Sequence, residues 1–275
     1  MTLSIITINR NNAAGLQKTM QSVVSQTSAD FEYIVIDGAS TDDSVSIIQA
    51  HAAQRPIAWV SERDKGIYNA MNKGISRASG DYIMILNSGD CLASPDVISR
   101  MTDALRQAGS PDICYGNIIK IWPDGHTLRD TQIAGAPTLL DFYLGTLNPD
   151  GAYIRRTLFK QYGPLNEEFK ICSDWAWFLK AIPLGGATTY HTDIDTIYFD
   201  MTGVSESGER SRQIIRSERQ QVLARELPPA ILADYDRYGD DLRRLRRLHR
   251  HRWAMRLFAL LDRIVFKLEK RSRRK

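Results

Sequence analysis

Gly80-Asp81-Tyr82-Ile83-Met84-Ile85-Leu86-Asn87-Ser88-Gly89-Asp90-Cys91 is the stretch from which the fold of this chain is read. Residues 82–86 are a short apolar run of strand formers, preceded by a Gly-Asp turn and followed by small polar residues. A run of that length between turn signals reads as a strand buried on both faces of a parallel sheet. Open α/β sheets bind ligands beyond the carboxyl ends of their strands, so the Asn-Ser-Gly-Asp loop matters more than the strand. Its carboxylate, Asp90, suits a hard divalent cation, which takes oxygen ligands and often shares them with phosphates. A loop aspartate bonded to its own turn is the plainer alternative.

Towards the N-terminus the same unit recurs. Residues 3–8, 31–36 and 57–60 read as strands, and 13–26, 43–51 and 66–78 as helices. Leu16, Met20, Val23 and Val24 keep helical spacing, and Thr41 or Asp42 stands where the second helix needs a cap. Strands alternating with helices through short loops predict an α/β fold, with a mostly parallel sheet and helices on both faces. Towards the C-terminus, past a helix at 95–107, the pattern changes. Residues 112–115 and 117–122 are strand-like, and the turn Pro123-Asp124-Gly125 before 126–129 predicts a hairpin. Residues 138–144 and 157–162 read as helices, 152–154 and 193–199 as strands, and 173–182 as an apolar helix with Ser173 at its N-cap. From Ser207 the chain is helical and charged.

With 43% hydrophobic and 25% charged residues over 275 positions, the chain can bury a full core. Its three cysteines, Cys91, Cys114 and Cys172, are odd in number and share no metal-ligand spacing, which fits a reducing compartment. Residues 3–8 follow Met1 too soon for a signal peptide, and no apolar run is long enough to span a bilayer. The expectation is a cytoplasmic protein. Residues 242–275 carry a surplus of twelve positive charges against a net +4 overall, so the preceding body is at −8. Body and tail need separate explanations.

The polar residues gather at strand ends. Thr7 and Asn9 close the first strand and Asp37 the second, Asp64 follows the third, and Asp90 the fourth. Convergence on one rim of a parallel sheet is what a nucleotide site needs. No Gly-x-Gly-x-x-Gly follows the first strand and no Gly-x-x-x-x-Gly-Lys-Ser/Thr occurs, which argues against dinucleotide and phosphate-cradling NTPase sites. A nucleotide site built from carboxylates recognises base and ribose by hydrogen bonds and neutralises a diphosphate through a metal.

Five linked motifs carry a resemblance: Ile5-Ile6-Thr7-Ile8-Asn9-Arg10-Asn11, Ser22-Val23-Val24-Ser25-Gln26, Tyr33-Ile34-Val35-Ile36-Asp37-Gly38-Ala39-Ser40-Thr41-Asp42, residues 61–74, and Leu86-Asn87-Ser88-Gly89-Asp90. In order and spacing they resemble glycosyltransferase family 2, inverting, nucleotide-sugar-dependent transferases of the GT-A fold. The likeness runs more loosely through residues 163–169, Ser173-Asp174-Trp175 and Thr202-Gly203-Val204-Ser205. It implies a nucleotide-sugar half at 1–110, an acceptor half at 111–206, and a helical extension at 207–275 outside the family pattern. It implies that Asp37 bonds the base, that Thr7, Asn9, Asp64 and Ser88 line the nucleotide pocket, that Asp90 holds Mg²⁺ or Mn²⁺ on the diphosphate, and that Asp174 is the catalytic base. Gly89 departs from the family's usual acidic residue, and Asn148-Pro149-Asp150-Gly151 stands where many members have a His-Gln pair.

Each residue also has a structural reading: Asp37-Gly38 as a strand-ending turn, Asp64-Lys65 as a surface pair, Asp174 as a helix cap. The expected function is inverting transfer from a nucleoside-diphosphate sugar to a hydroxyl, as of a lipid-linked saccharide in cell-envelope polysaccharide synthesis. A sugar-phosphate nucleotidyltransferase and a non-catalytic nucleotide-sugar-binding relative are the alternatives. In the tail, Trp253, Leu257, Leu260, Leu261, Ile264, Val265 and Leu268 fall on one helical face, with Arg252, Arg256, Arg263, Lys267 and Lys270 along a flank and Arg271, Arg273, Arg274 and Lys275 beyond. That pattern suits an anionic membrane surface and gives nucleic acid nothing to do with the apolar face; packing on the body or on a second subunit is the other reading. The expected place is the inner face of the cell membrane, as a peripheral protein.

Overall fold

The computed structural model describes residues 1–203, 208–249 and 251–272. Val204, Ser205, Arg273, Arg274 and Lys275, singled out above, lie outside the described residues. The chain forms two compact units, Met1–Val222 and Leu223–Lys275.

The first unit is built on one nine-stranded mixed sheet, with strands in the order β3 (Ala58–Ser61), β2 (Phe31–Asp37), β1 (Leu3–Asn9), β4 (Tyr82–Ile85), β8 (Tyr153–Arg155), β6 (Ile113–Ile121), β9 (Thr189–Asp200) and β5 (Cys91–Leu92), and with β7 (Thr127–Asp130) paired to β6. Its first half, β1 to β4, is parallel. Helices α1 (Ala13–Val24), α2 (Ser44–Ala52) and α3 (Ile67–Arg77) are the crossovers. Every residue of β1 is buried, and one core joins Leu3, Ile5, Tyr33, Val35 and Met84 to Leu16, Met20 and Val23 of α1. Both faces of β1, β4 and most of β2 are covered, which is why they read as unbroken apolar runs, while the edge strand β3 is half exposed. The α2 cap lies at Asp43, which makes no side-chain cap bond; Asp42 Oδ1 accepts the Ser44 N–H at 3.1 Å instead, and Asp42 Oδ2 that of Ala13 at 2.9 Å.

Beyond β4 the sheet changes direction. β8 (Tyr153–Arg155) runs antiparallel between β4 and β6 (Ile113–Ile121), while β9 (Thr189–Asp200) runs parallel to β6. β7 (Thr127–Asp130) closes the expected hairpin on β6. A two-residue strand, β5 (Cys91–Leu92), follows Asp90 directly and pairs with Ile197 and Tyr198. Residues 112–122, read above as two strands, form a single one. Gly116 marks a register shift, where a Cβ would lie 2.3 Å from the Ile194 carbonyl oxygen. The glycine admits a close backbone approach there and does not end the strand.

Helix α4 (Val97–Gln107) covers β6 and β9, and of two short helices, α5 (Leu139–Leu144) and α6 (Thr157–Tyr162), α6 packs beside β8. Helix α7 (Ser173–Leu179) continues into a π-helical turn, Lys180–Leu184, that contains Pro183. Ser173 is its first residue rather than its cap: Cys172 occupies the cap position, and Ser173 Oγ is buried without a partner. Helix α8 (Glu209–Glu226) follows. In the second unit, α9 (Pro229–His249) and α10 (Arg252–Ser272) pack on each other. Among the described residues no helix is long and apolar enough to cross a membrane.

Candidate active site

The carboxyl ends of β3, β2, β1 and β4 form a continuous polar rim. Asp37, fully buried at the end of β2, accepts four protein hydrogen bonds: Asn9 Nδ2 (2.9 Å) and Ser40 Oγ (2.5 Å) on Oδ1, Ser40 N–H (2.9 Å) and Ser61 Oγ (2.6 Å) on Oδ2. Burial works against the charge, but the bonds from Ser40, Ser61 and Asn9 outweigh it and hold the carboxyl below its ordinary pKa. Asp37 is thus ionised at neutral pH with its acceptor sites filled. A base N–H reaches it only where a serine hydroxyl turns away. Asn9 is buried beside it, with Oδ1 unpartnered.

Asp64 approaches from the loop after β3. Its Oδ1 pairs with Lys73 Nζ of α3 at 2.7 Å, and Lys73 also reaches Glu62 at 2.9 Å. The partner foreseen for Asp64, Lys65, is not the one it takes. A Cβ on Gly38 would come within 2.9 Å of Asp64 Oδ2, so the glycine lets this carboxylate close on the end of β2. Thr7 is fully enclosed, its hydroxyl 3.1 Å from the Tyr33 hydroxyl in the core. It underpins the rim and does not line it.

The 87–90 loop is sewn to β1 and α1. Ser88 N–H donates to the Ile8 carbonyl (3.1 Å), and Asn12 Nδ2 to the Ser88 carbonyl (3.0 Å). Thr19 Oγ1 accepts the Gly89 N–H (2.9 Å) and donates to the Asp90 carbonyl (2.7 Å). Gly89 has φ +115°, a conformation that side-chain-bearing residues rarely adopt. The glycine in place of an acidic residue is what this turn requires.

Asp90 does not stand alone. It is 5% exposed, and its Oδ1 accepts the Asp200 N–H at 2.8 Å. Asp150, 3% exposed, shares a carboxyl–carboxyl hydrogen bond with it, while Asn87 Nδ2 donates to both Asp150 oxygens at 3.0 Å. Burial pushes Asp90 up to about 7, opposed by the Asp200 N–H and the Asp150 bond and aided by the Asp200 charge. Asp150 is pushed well above the ordinary carboxylate range, first by burial and then by the Asp90 charge. Two buried carboxyls that share a proton are what crowding like charges in a low dielectric produces.

These residues fit a divalent cation. All the donors are hard oxygens, among the described residues no Lys, Arg or His pairs with Asp90, and Asn87 Oδ1 is a further buried oxygen without a partner. Among the described residues no three His, Cys, Asp or Glu form a ready-made cage, so diphosphate and water would complete the shell.

Asp174 stands in the first turn of α7, half-buried, with protein crowded round its carboxyl; this desolvation raises its pKa, against the Trp175 N–H and Tyr68 bonds. Tyr68 Oη, kept protonated by burial and the Asp174 charge, lies 3.0 Å from Asp174 Oδ1 and also bonds the Ile171 carbonyl. The Asp174 charge is felt at Asp150, which ties α7 to the Asp90 cluster. The loop before α7 is held from α8: Glu218 Oε1 accepts the Lys170 N–H (2.6 Å), and Oε2 those of Ile171 (3.1 Å) and Cys172 (2.9 Å). Arg219 lies 4.7 Å over the Trp175 ring, and the buried Trp175 and Trp177 donate to the Phe142 and Gly163 carbonyls.

Asp150, Asp200, Tyr68 and Glu218 were missed from the sequence. The strand-end rule that picks Asp37 and Asp90 would have picked Asp200 had β9 been carried one residue further. A cavity of about 150 Å³ lined by Thr2, Tyr82, Ser99, Arg106 and Tyr153 sits at the amino ends of β1 and β4 and involves none of the rim residues.

Residues 4–177 match the family model described as glycosyl transferase family 2. An uncharacterised glycosyltransferase of Mycobacterium tuberculosis is 31% identical over 248 residues, 88% of this chain and 85% of that protein. The PGL/p-HBAD biosynthesis glycosyltransferase of the same organism is 31% identical over 177 residues, 62% of this chain and 66% of its own length. Staphylococcus aureus TarS 1-349, solved in complex with UDP-GlcNAc, superposes with a TM-score of 0.64 at 19% identity, covering 84% of this chain and 69% of TarS 1-349. The shared fold is of the GT-A type.

Proposed function

The chain belongs to glycosyltransferase family 2, and from that premise we propose that it transfers a sugar, with inversion, from a nucleoside-diphosphate sugar to a hydroxyl of a lipid-linked saccharide in cell-envelope polysaccharide synthesis. The observation that carries this reading is the grouping of ionised Asp37 and the buried Asp90–Asp150 pair at the strand ends, with Asp174 of α7 near enough for its charge to act on Asp150. The UDP-GlcNAc complex of TarS and the PGL/p-HBAD biosynthesis in the name of the mycobacterial relative support the donor and acceptor classes.

The chemistry divides among these residues. Asp37, ionised, accepts a base N–H as the Ser61 or Ser40 hydroxyl turns aside. Asp64 and Ser88 border the ribose and the diphosphate. Asp90, with Asp150 and Asp200 beside it, would hold Mg²⁺ or Mn²⁺. When bound, that ion supplies Lewis-acid stabilisation of the negative charge developing on the leaving diphosphate. Asp174 takes the proton of the incoming hydroxyl, and its raised pKa makes it a better acceptor than an ordinary carboxylate. Tyr68 aims it by bonding Oδ1. Direct attack from the face opposite the diphosphate inverts the anomeric carbon.

The test is release of nucleoside diphosphate from a panel of UDP-, GDP-, dTDP- and CDP-sugars, with and without Mn²⁺ or Mg²⁺. Slow hydrolysis of one donor, lost in EDTA, is expected. Binding without turnover under any acceptor would favour the non-catalytic relative, and pyrophosphate formed from a sugar phosphate and a nucleoside triphosphate would favour the nucleotidyltransferase.

A further inference from the structure

Helix α10 carries a feature that sugar transfer does not use. Trp253, Leu257, Leu260, Leu261, Ile264 and Leu268 fall within an arc of about 100° at 3.6 residues per turn. None of them is buried: Trp253 is 70% exposed and the other five are 46–58% exposed. The contact with α9 leaves this face open, although Ala254 on the neighbouring side of the helix is buried. A stripe of large apolar side chains in water is unfavourable roughly in proportion to its area, and patches of this kind mark interaction surfaces.

The charges beside the stripe say what covers it. Arg252, Arg256, Arg263, Lys267 and Lys270 occupy the adjoining arc of about 60° on one side only. All five are exposed, and among the described residues they form no ion pair. The one described acidic side chain of the helix, Asp262, lies on the far side, so a second copy of α10 would bring its stripe no counter-charge. An apolar stripe edged by unpaired cations, on a helix with too many charges to span, lies in the plane of a bilayer interface. The lipid it fits is anionic.

We infer that α10 is a docking surface for an anionic lipid bilayer, its apolar stripe set into the interface and its basic edge against the headgroups. The inference stands apart from the catalytic reading, and it gives that reading a route by which a lipid-linked acceptor meets the enzyme at a surface.

The experiment is vesicle flotation of the full-length protein, comparing neutral phosphatidylcholine with vesicles containing about 30% phosphatidylglycerol, a surface-charge regime in which each Lys or Arg contributes about fivefold in affinity. Binding to the anionic vesicles, weakened by salt, is expected. Arg256→Gln, Arg263→Gln and Lys267→Gln together should weaken it on the order of 100-fold. Leu261→Glu with Ile264→Glu should abolish it. These positions are solvent-exposed, and unchanged circular dichroism verifies that the variants fold. Quenching of tryptophan fluorescence by brominated lipid in the unmodified protein gives a readout that needs no variant. Protein that stays unbound on anionic vesicles at low salt overturns the inference. So does binding that ignores both lipid charge and the triple substitution, or a lipid-free dimer that Leu261→Glu with Ile264→Glu dissolves.

Discussion

Glu218→Ala separates a role in positioning Asp174 from a merely peripheral one. The Glu218 carboxylate receives the three backbone N–H groups of Lys170, Ile171 and Cys172, the residues that lead into α7. Lys170 is exposed and its N–H regains water in the variant, but those of Ile171 and Cys172 are part-buried and lose their acceptor. Leaving a buried donor unsatisfied costs about 1–2 kcal/mol, so the variant should lose roughly 2–4 kcal/mol. For a unit of this size, 1 kcal/mol shifts Tm by about 2–4 °C, which puts the expected fall near 10 °C. The helix that loosens carries Asp174 two residues beyond Cys172, and a displacement of about 1 Å can cost on the order of 100-fold in turnover. Donor KM should stay put, because the rim residues on β1, β2 and β4 are untouched. Thermal unfolding followed by near-UV circular dichroism, with steady-state nucleotide release, reads both effects. A variant that melts within about 2 °C of the parent, inside the scatter expected of surface substitutions, and turns over normally would refute the reasoning.

Two further predictions concern the carboxyls. Asp174→Asn should lower turnover by about 10²–10⁴-fold at unchanged donor affinity. It should also remove the acidic limb of the pH–rate profile, which in the parent lies above the ordinary carboxylate range because burial raises this pKa. Asp90 and Asp150 bind protons more tightly folded than unfolded, so without metal the protein should lose stability as pH rises from the ordinary carboxylate range through about 7. Asp90→Asn has no charge to bury and should flatten that loss while removing the rise in Tm that Mn²⁺ gives the parent at pH near 8; thermal scans in EDTA and in Mn²⁺ check both.

The first half of the fold was legible because its central strands β1, β2 and β4 are largely enclosed on both faces and each strand ends in a polar loop. That pattern located β1 to β4 within one or two residues and set Asn9, Asp37 and Asp90 on one rim. Where pairing is non-local the residues say less. Cys91 and Leu92 form a strand only because Ile197 and Tyr198 lie beside them, and Gly116 looks like a break until β9 is seen to cross it closely. Asp150 is hidden for the same reason. It sits in a loop that the Gly151 N–H fastens to the Ile85 carbonyl (3.2 Å), a contact with no trace in spacing. Ser173 looked like a cap because serine suits that position, but the helix already begins at it, and Asp174 inside the first turn accepts the Trp175 N–H. The Thr7 hydroxyl turned inward because β1 places it on the same face as Ile5, against Tyr33.

The most direct measurement is calorimetric titration of UDP and GDP into the full-length protein in Mn²⁺ and in EDTA, on the parent and on Asp90→Asn. A nucleotide-sugar site at this rim predicts saturable binding of one nucleotide to the parent in Mn²⁺, sharply weakened both in EDTA and by the substitution. Binding of equal strength in all of these conditions, or no binding of either nucleotide to the parent in Mn²⁺, would contradict it.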